Sequence, residues 1–261
     1  MSLHDALSTL TREGDDFVID APAEWSQGRT LYGGITAALA HEAAIRSVED
    51  LPQLRSGQFL FVGPAEGRLT FTVTLLRRGR STAMIGVDAV SEKGPVLRSS
   101  LAFASARESA VDVPPPPLPD VKGYEEAGPL FPGGSERAPG FTGNFDMRLG
   151  KGAQGFSGGD AEFWIWARYR EEPECHPVSA LLAMADVPPP SAIIKFPVMA
   201  PLSTLSWQID LLEQPETVDP WILTHCRAEE ASDGYSPQEM QHWDASGRCL
   251  ALGRQLFAIF A

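Results

Sequence analysis

Two stretches of the chain are rich in apolar helix-forming residues and have no continuous polar face. They span residues 35–48, where Glu42 and Arg46 are expected on the wetter side, and residues 178–187. A helix that is apolar on all sides is normally buried. The pattern therefore predicts two helices, each enclosed by other elements of the fold.

Segments that alternate between apolar and polar residues follow both predicted helices. The clearest are residues 69–75 and 205–211, and strict alternation is typical of half-buried strands. Further strands are predicted at residues 57–62, 83–90, 96–104, 162–169, 221–229, 236–243 and 249–260. One long buried helix with antiparallel strands thus occurs twice. The repeat predicts an α+β fold in which each sheet wraps around its own helix.

Prolines and glycines interrupt this periodicity between residues 108 and 159. Such a composition is typical of irregular connecting chain. We therefore predict an N-terminal unit at residues 1–107, a linker at 108–159 that partly follows the surface, and a C-terminal unit at 160–261.

Composition excludes several classes of function. The formal net charge of −13 disfavours a nucleic-acid-binding surface, which needs clustered Lys and Arg, and also a general membrane-surface role. Three scattered cysteines form no disulfide framework and suggest a reducing compartment. The N-terminus does not resemble a signal peptide, and no apolar run is long enough to span a bilayer. A cytoplasmic location is expected.

Asp186 is the only charged residue between His176 and Lys195. It lies at the end of the second apolar helix, where a carboxylate is costly unless it is paired, and where its pKa tends to rise. Perturbed carboxylates concentrate at functional sites, so Asp186 is a candidate general base. The alternative is a structural cap at the helix end before the prolines at 188–190.

Two common catalytic patterns are not supported by their context. Residues 155–159 match the G-x-S-x-G nucleophile elbow around Ser157, but that motif needs a strand before it and a helix after it. A flexible glycine loop is predicted instead. The five histidines show no metal-ligand spacing, so no zinc site is expected, and His41 is interpreted as a core-edge residue.

Other polar positions are candidates for ligand contact. Gly33 and Gly34 precede the first helix, whose backbone amides could bind an anion or a developing oxyanion, although tight packing also explains glycine there. Arg78 and Arg80 lie in a basic turn that could contact phosphates or simply face water. Thr204 is placed on the same strand face as Ser206 and Gln208. Gln255 lies in the apolar last strand and is expected to have a hydrogen-bond partner.

The order and spacing of several short segments resemble bacterial acyl-CoA thioesterase II. These segments are residues 31–34, 55–64, 73–81, 162–168, 184–186 and 203–205. The resemblance covers nearly the whole chain apart from the proline-rich linker. It implies a double hotdog fold, in which two tandem hotdog units each have an antiparallel sheet wrapped around a long buried helix.

The resemblance also implies a site and a reaction. In that family an Asp after the second helix, a Thr or Ser in the next strand and a Gln in the last strand hold the hydrolytic water, and Asp186, Thr204 and Gln255 occupy those positions. The implied reaction is hydrolysis of a fatty or related acyl-CoA by an Asp-activated water, with no covalent acyl-enzyme, metal or cofactor. Gly33 and Gly34 would then receive the thioester oxygen. Arg78 and Arg80 would contact the nucleotide.

Two departures from the family and two other functions remain to be considered. Three prolines follow Val187 and could redirect the carboxylate of Asp186, and the Gly- and Pro-rich linker could alter the channel walls. A hotdog hydratase or dehydratase would need an acid/base partner such as histidine. A non-catalytic acyl-binding protein would leave the water site unused. Exposed sheet edges lead us to expect a homo-oligomer.

Overall fold

One antiparallel sheet of thirteen strands packs around two long helices. The computed structural model describes residues 1–131, 138–213, 215 and 220–260. The helices are α1 (Leu3–Ser8), α2 (Gly33–Ser47) and α3 (Pro177–Ala185). The strands are β1 (Thr11–Glu13), β2 (Asp16–Asp20), β3 (Ser26–Gln27), β4 (Thr30–Leu31), β5 (Leu54–Phe61), β6 (Arg68–Arg78), β7 (Thr82–Ser91), β8 (Gly94–Ala104), β9 (Gly128–Pro129), β10 (Phe145–Gly152), β11 (Glu162–Tyr169), β12 (Leu202–Leu211), β13 (Ile222–Ala228), β14 (Tyr235–Asp244) and β15 (Cys249–Ile259).

The strand order shows two units that share one sheet. It runs β1-β2-β6-β7-β8-β5-β12-β15-β14-β13-β11-β10-β9, and β3 and β4 pair separately. The two units meet where β5 pairs with β12, around the pair Gln58 and Gln208. The predicted α+β repeat of helix and antiparallel strands is therefore confirmed, and the two sheets are continuous across their junction.

The two long helices pack against each other in opposite directions. Gly34 near the start of α2 lies against the end of α3, whereas His41 further along α2 contacts Ser179 near the start of α3. Residues 34–44 of α2 and 178–185 of α3 are buried. The prediction that Glu42 lies on a wetter side is wrong, because α3 covers that face. Its carboxylate accepts a hydrogen bond from Ser179 and pairs with Arg46.

The range predicted as a linker, 108–159, contains β9 and β10, which belong to the sheet of the second unit through the pairing of β10 with β11. Its residues 132–137 lie outside the described part of the chain. The segment before β9 lies on the outer face of that sheet. The indole N–H of Trp166 donates to the Lys122 carbonyl at 2.9 Å, and Tyr124 stacks on Trp221. A segment that packs on a sheet surface in this way has no regular secondary structure, so its sequence shows no regular alternation of apolar residues.

None of the described helices combines the length and the apolar character needed to cross a bilayer. The N-terminal helix α1 packs into the core through Leu3, Ala6 and Leu7. Arg46 fixes its end by donating to the carbonyls of Leu7 and Leu10.

Candidate active site

Asp186 lies where the end of α3 meets the start of α2. Its Oδ1 accepts a hydrogen bond of 2.5 Å from Nε2 of Gln255, and the Gly34 backbone N–H also donates to its carboxylate. Its Oδ2 lies so close to Gly33 that a methyl group there would be 2.7 Å away. Asp186 keeps part of its surface accessible. The residue is thus largely enclosed by protein where the two helices meet.

The local sequence explains this position. Asp186 is the residue at which α3 ends, and proline cannot continue the helix beyond it. Asp186 therefore does occupy the structural capping position, but its carboxylate points to Gln255 and Gly34 rather than to its own helix. The prolines at 188–190 do not turn it away from Gln255.

Burial raises the pKa of Asp186 to about 7 from its ordinary value of 3.8. Desolvation is the main cause, and the hydrogen bonds from Gln255 and Gly34 oppose it because they stabilise the charged form. A carboxyl group with this pKa exchanges protons readily near neutral pH. That is the property required of a general base.

Gln255 holds the carboxylate from the last strand. It is 2% exposed and pairs across the sheet with Trp207 on one side and Gln238 on the other. Its Oε1 accepts a hydrogen bond of 2.9 Å from Nε2 of Gln238. The expectation that this amide has a partner is therefore confirmed, and it has two.

Thr204 lies on the same sheet face as Gln255. A β-bulge separates Thr204 from Ser206, so Thr204 pairs with Phe257 while Ser206 pairs with Leu256. Phe257 follows Gln255 by two residues and shares its face. The prediction that Thr204 shares a face with Ser206 is therefore wrong, because the bulge reverses the alternation. Among the described residues, Thr204 makes no side-chain hydrogen bond to Asp186 or Gln255, and it is partly accessible.

The first unit has apolar residues at the matching positions. The bulge between Leu54 and Ser56 in β5 matches the bulge between Thr204 and Ser206 in β12, which relates the two strands by 150 residues. Thr204 then corresponds to Leu54, which also precedes a bulge and pairs with Phe103. Trp207, the partner of Gln255, corresponds to Gly57, and the partner of Gly57 is Leu101. The repeat therefore places two leucines where the second unit has Thr204 and Gln255.

The two candidate glycines have different roles. The N–H of Gly34 is used by the carboxylate of Asp186. No backbone hydrogen bond between described residues uses the N–H of Gly33. A helix start has free amides that favour negative charge. Gly33 thus has the donor that an oxyanion needs, immediately beside Asp186.

The structure does not bring Arg78 and Arg80 to this cluster. Arg78 donates to the carbonyls of Glu49 and Asp50, just after the end of α2. Gly33 starts that helix, and its 15 residues make it about 22 Å long at 1.5 Å per residue. Arg80 is exposed in the turn between β6 and β7.

The remaining candidates take no part in the cluster. The loop with Ser157 lies between β10 and β11 and packs on the 3-10 helix Ser191–Lys195, with Phe156 N–H donating to the Ile193 carbonyl. No helix follows it, so the nucleophile elbow is absent. His41 is buried, and desolvation lowers its pKa to about 3. No group of three or more potential metal ligands occurs among the described residues.

The raised pKa of Asp186 predicts a pH-dependent cost to stability. The folded state keeps the proton up to about pH 7, whereas the unfolded state loses it near 3.8. The Asp186 carboxyl group therefore costs no stability below pH 4, where it is protonated in both states, and the free energy of unfolding falls as the pH rises to 7. Asp186→Asn should gain on the order of 1–3 kcal/mol relative to the parent between pH 5 and pH 8. Thermal unfolding of both proteins checks this, and a constant difference across the range would contradict it.

Two family models together match most of the chain. The model described as the acyl-CoA thioesterase N-terminal domain matches residues 21–104, and the one described as the acyl-CoA thioesterase C-terminal domain matches residues 112–259. No curated protein matches.

Solved structures share the fold over the full chain. A hot dog fold protein of unknown function from Alicyclobacillus acidocaldarius is 25% identical with a TM-score of 0.88, and the alignment covers 100% of this chain and 99% of the other. The tesB protein of Mycobacterium avium subs paratuberculosis is 17% identical with a TM-score of 0.81, covering 100% of both chains. The acyl-CoA thioesterase II TesB2 of Mycobacterium marinum is 16% identical with a TM-score of 0.78, covering 100% and 99%.

Proposed function

Because the chain belongs to the acyl-CoA thioesterase family, we propose that it hydrolyses an acyl-CoA to a free acid and coenzyme A, with Asp186 as the base that activates water. The observation that carries this proposal is the carboxylate of Asp186, enclosed where the end of α3 meets the start of α2 and hydrogen-bonded to Gln255. The pKa of Asp186 is about 7, and Gln255 holds the carboxylate beside the N-terminus of α2. The double hotdog fold is shared with thioesterases of known structure.

In this mechanism a water molecule donates its proton to Asp186 as its oxygen attacks the thioester carbonyl carbon. The hydroxyl of Thr204 and the amide of Gln255 hold the water, which is a positioning role. The carbonyl oxygen becomes an oxyanion and accepts a hydrogen bond from the Gly33 N–H. Collapse of the tetrahedral intermediate breaks the C–S bond, and the proton on Asp186 passes to the departing thiolate. No side chain is acylated.

Release of free thiol from a panel of acyl-CoAs of increasing chain length tests this proposal. Intact-protein mass spectrometry during turnover should show no acylated chain. Binding of the panel without thiol release would instead support a non-catalytic acyl-binding protein. The contact between Asp186 and Gln255 is the arrangement expected of the hydrolytic site, and the thiol assay separates the two functions.

The pH profile should follow the ionisation of Asp186. The base must be charged to take a proton, so kcat/KM should rise with pH and reach half its maximum near the pKa of about 7. Stopped-time thiol assays from pH 5 to pH 9 measure this. A profile that is flat over that range would exclude Asp186 as the base.

A contact with the nucleotide end remains part of the proposal for Arg78 and Arg80. Because Arg78 is held by two carbonyls, Arg80 is the better probe. Arg80→Ala should raise KM for an acyl-CoA about three- to tenfold, since charge-assisted contacts at exposed sites are modest. It should not change KM for an acyl-pantetheine thioester, which lacks the nucleotide. Arg98→Ala, which removes an exposed arginine paired with Asp88, is the control. Equal effects on both substrates would rule out a nucleotide contact.

A hydratase or dehydratase is less well supported. The hydrogen bonds to Asp186 come from an amide and a backbone N–H, and neither is the acid/base partner that such chemistry uses. A homo-oligomer and a cytoplasmic location also stay expectations. The terminal strands β1 and β9 are three and two residues long. Among the described residues β2 pairs with β6 only at residues 68–71, so the rest of β6 has no strand partner on that side.

A further inference from the structure

A chain of hydrogen bonds runs from a backbone amide to the carboxylate of Asp186. The Ser191 N–H donates to Oε1 of Gln238 at 3.0 Å. Nε2 of Gln238 then donates to Oε1 of Gln255 at 2.9 Å, and Nε2 of Gln255 donates to Asp186. Ser191 and Gln238 are both 0% exposed, so water does not compete for these groups.

The direction of this chain is set at its first member. A backbone N–H can only donate, so the group of Gln238 that faces Ser191 must be the oxygen. The Gln238 NH₂ group then faces Gln255, which must present its own oxygen. The Gln255 NH₂ group is thereby left to face Asp186, and an ionised carboxylate can only accept. Every bond in the series depends on the one before it.

Resting on the proposed function, we propose that Gln238 is a positioning residue. It fixes the orientation of the Gln255 side-chain amide so that Gln255 donates to the ionised form of Asp186. Without that constraint the amide can rotate by half a turn and place its oxygen against the carboxylate. That orientation favours the protonated acid, which cannot accept a proton from water.

The sequence after Asp186 supplies the first donor. The prolines at 188–190 lead directly into the 3-10 helix Ser191–Lys195, whose first residue donates to Gln238. The segment that departs from the family pattern therefore ends at the residue whose N–H holds Gln238.

Other titratable groups near Asp186 stay neutral around pH 7. Burial raises the pKa of both Tyr32 and Cys226, and the charge of Asp186 raises it further. The hydroxyl of Tyr32 donates to the Ala183 carbonyl. Neither of these two groups therefore contributes to a change in the pH profile between pH 5 and pH 9.

Three variants test the proposal. Gln238→Met removes the amide at nearly constant length. Ser191→Pro removes the directing N–H together with the hydroxyl, which also donates to Gln238 Oε1 at 3.5 Å, at a first helical position that proline tolerates. Ser191→Ala removes the hydroxyl but keeps the N–H, and it is the matched control. Gln238→Met and Ser191→Pro should lower kcat about tenfold and move the half-maximum of kcat/KM upward by about one pH unit. Ser191→Ala should behave like the parent.

A measurement that does not depend on turnover separates this inference from the proposed function. The pKa of Asp186 can be followed by ¹³C NMR of its carboxyl carbon, identified by its absence in Asp186→Asn. An upward shift in the folded Gln238→Met or Ser191→Pro protein, with none in Ser191→Ala, supports the relay even if no acyl-CoA is hydrolysed. An unchanged pKa and pH profile in either folded variant would overturn it. So would a shift of equal size in Ser191→Ala. If Gln238→Met does not fold, the comparison of Ser191→Pro with Ser191→Ala tests the proposal.

Discussion

Asp186→Asn should lower kcat for acyl-CoA hydrolysis by about 10²–10⁴-fold, the range that a positioned base contributes. Asparagine has nearly the same shape as aspartate, and its side-chain oxygen can still accept the hydrogen bond from Gln255. It cannot take a proton from water. The loss should therefore appear in kcat, with KM changed little, in assays of thiol release.

The matched control is Asp88→Asn. Asp88 is an exposed carboxylate paired with Arg98 on the sheet surface, so its loss should leave kcat unchanged. Circular dichroism and thermal unfolding confirm that both variants fold. A folded Asp186→Asn protein with the turnover of the parent would refute the role assigned to Asp186.

Periodicity predicted the elements of the fold because it reports burial. The two apolar stretches became α2 and α3, and the alternating stretch at 205–211 lies within β12. Periodicity does not report which strands are neighbours. The continuity of the sheet across β5 and β12 depends on pairing between residues about 150 positions apart. Strand β10 lies in a segment rich in glycine and proline, and the sequence pattern does not predict it. It is a strand because it pairs with β11.

The candidate site could be predicted where a polar residue lies in an apolar segment. Asp186 in an apolar helix and Gln255 in an apolar strand both carry a desolvation cost, and the two side chains relieve it in each other. Gln238 gave no such local signal, because its strand also has polar residues on its other face. The face of Thr204 was missed because a bulge changes the alternation without a marker in the sequence.

Comparison of the two units shows that only the second has polar residues at the candidate site positions. The matching bulges in β5 and β12 indicate that the two units share local geometry as well as topology. Leu54 and Leu101 stand at the places of Thr204 and Gln255, so the first unit supports the core where the second holds polar groups. The first unit still contributes to the site through the start of α2, which lies against Asp186. Separation of the two units should therefore remove activity from both.

Gly34→Ala should destabilise the fold by about 3 kcal/mol, at the upper end of what overpacking usually costs. The added methyl group would lie 2.7 Å from the Ala183 carbonyl oxygen and 2.6 Å from Cε2 of Tyr32. The first of these atoms belongs to the backbone of α3, so relief requires the two helices to separate. Alanine returns up to about 1 kcal/mol through its better helix propensity, which is too little to compensate. Urea unfolding measures the difference.

Gly33→Ala should cost little stability but much activity. Its methyl group would meet Oδ2 of Asp186 at 2.7 Å and Cζ of Phe61 at 2.9 Å, both at the far ends of side chains that can move. The expected cost in stability is only about 1 kcal/mol, but the carboxylate is pushed from its position, and kcat should fall about 10²-fold. Gly123→Ala, where a methyl group meets nothing within 4 Å, is the control for both. A Gly33→Ala protein that keeps full turnover would mean that Asp186 is not confined by the start of α2, whereas one that loses more stability than Gly34→Ala would mean that Asp186 and Phe61 cannot move aside.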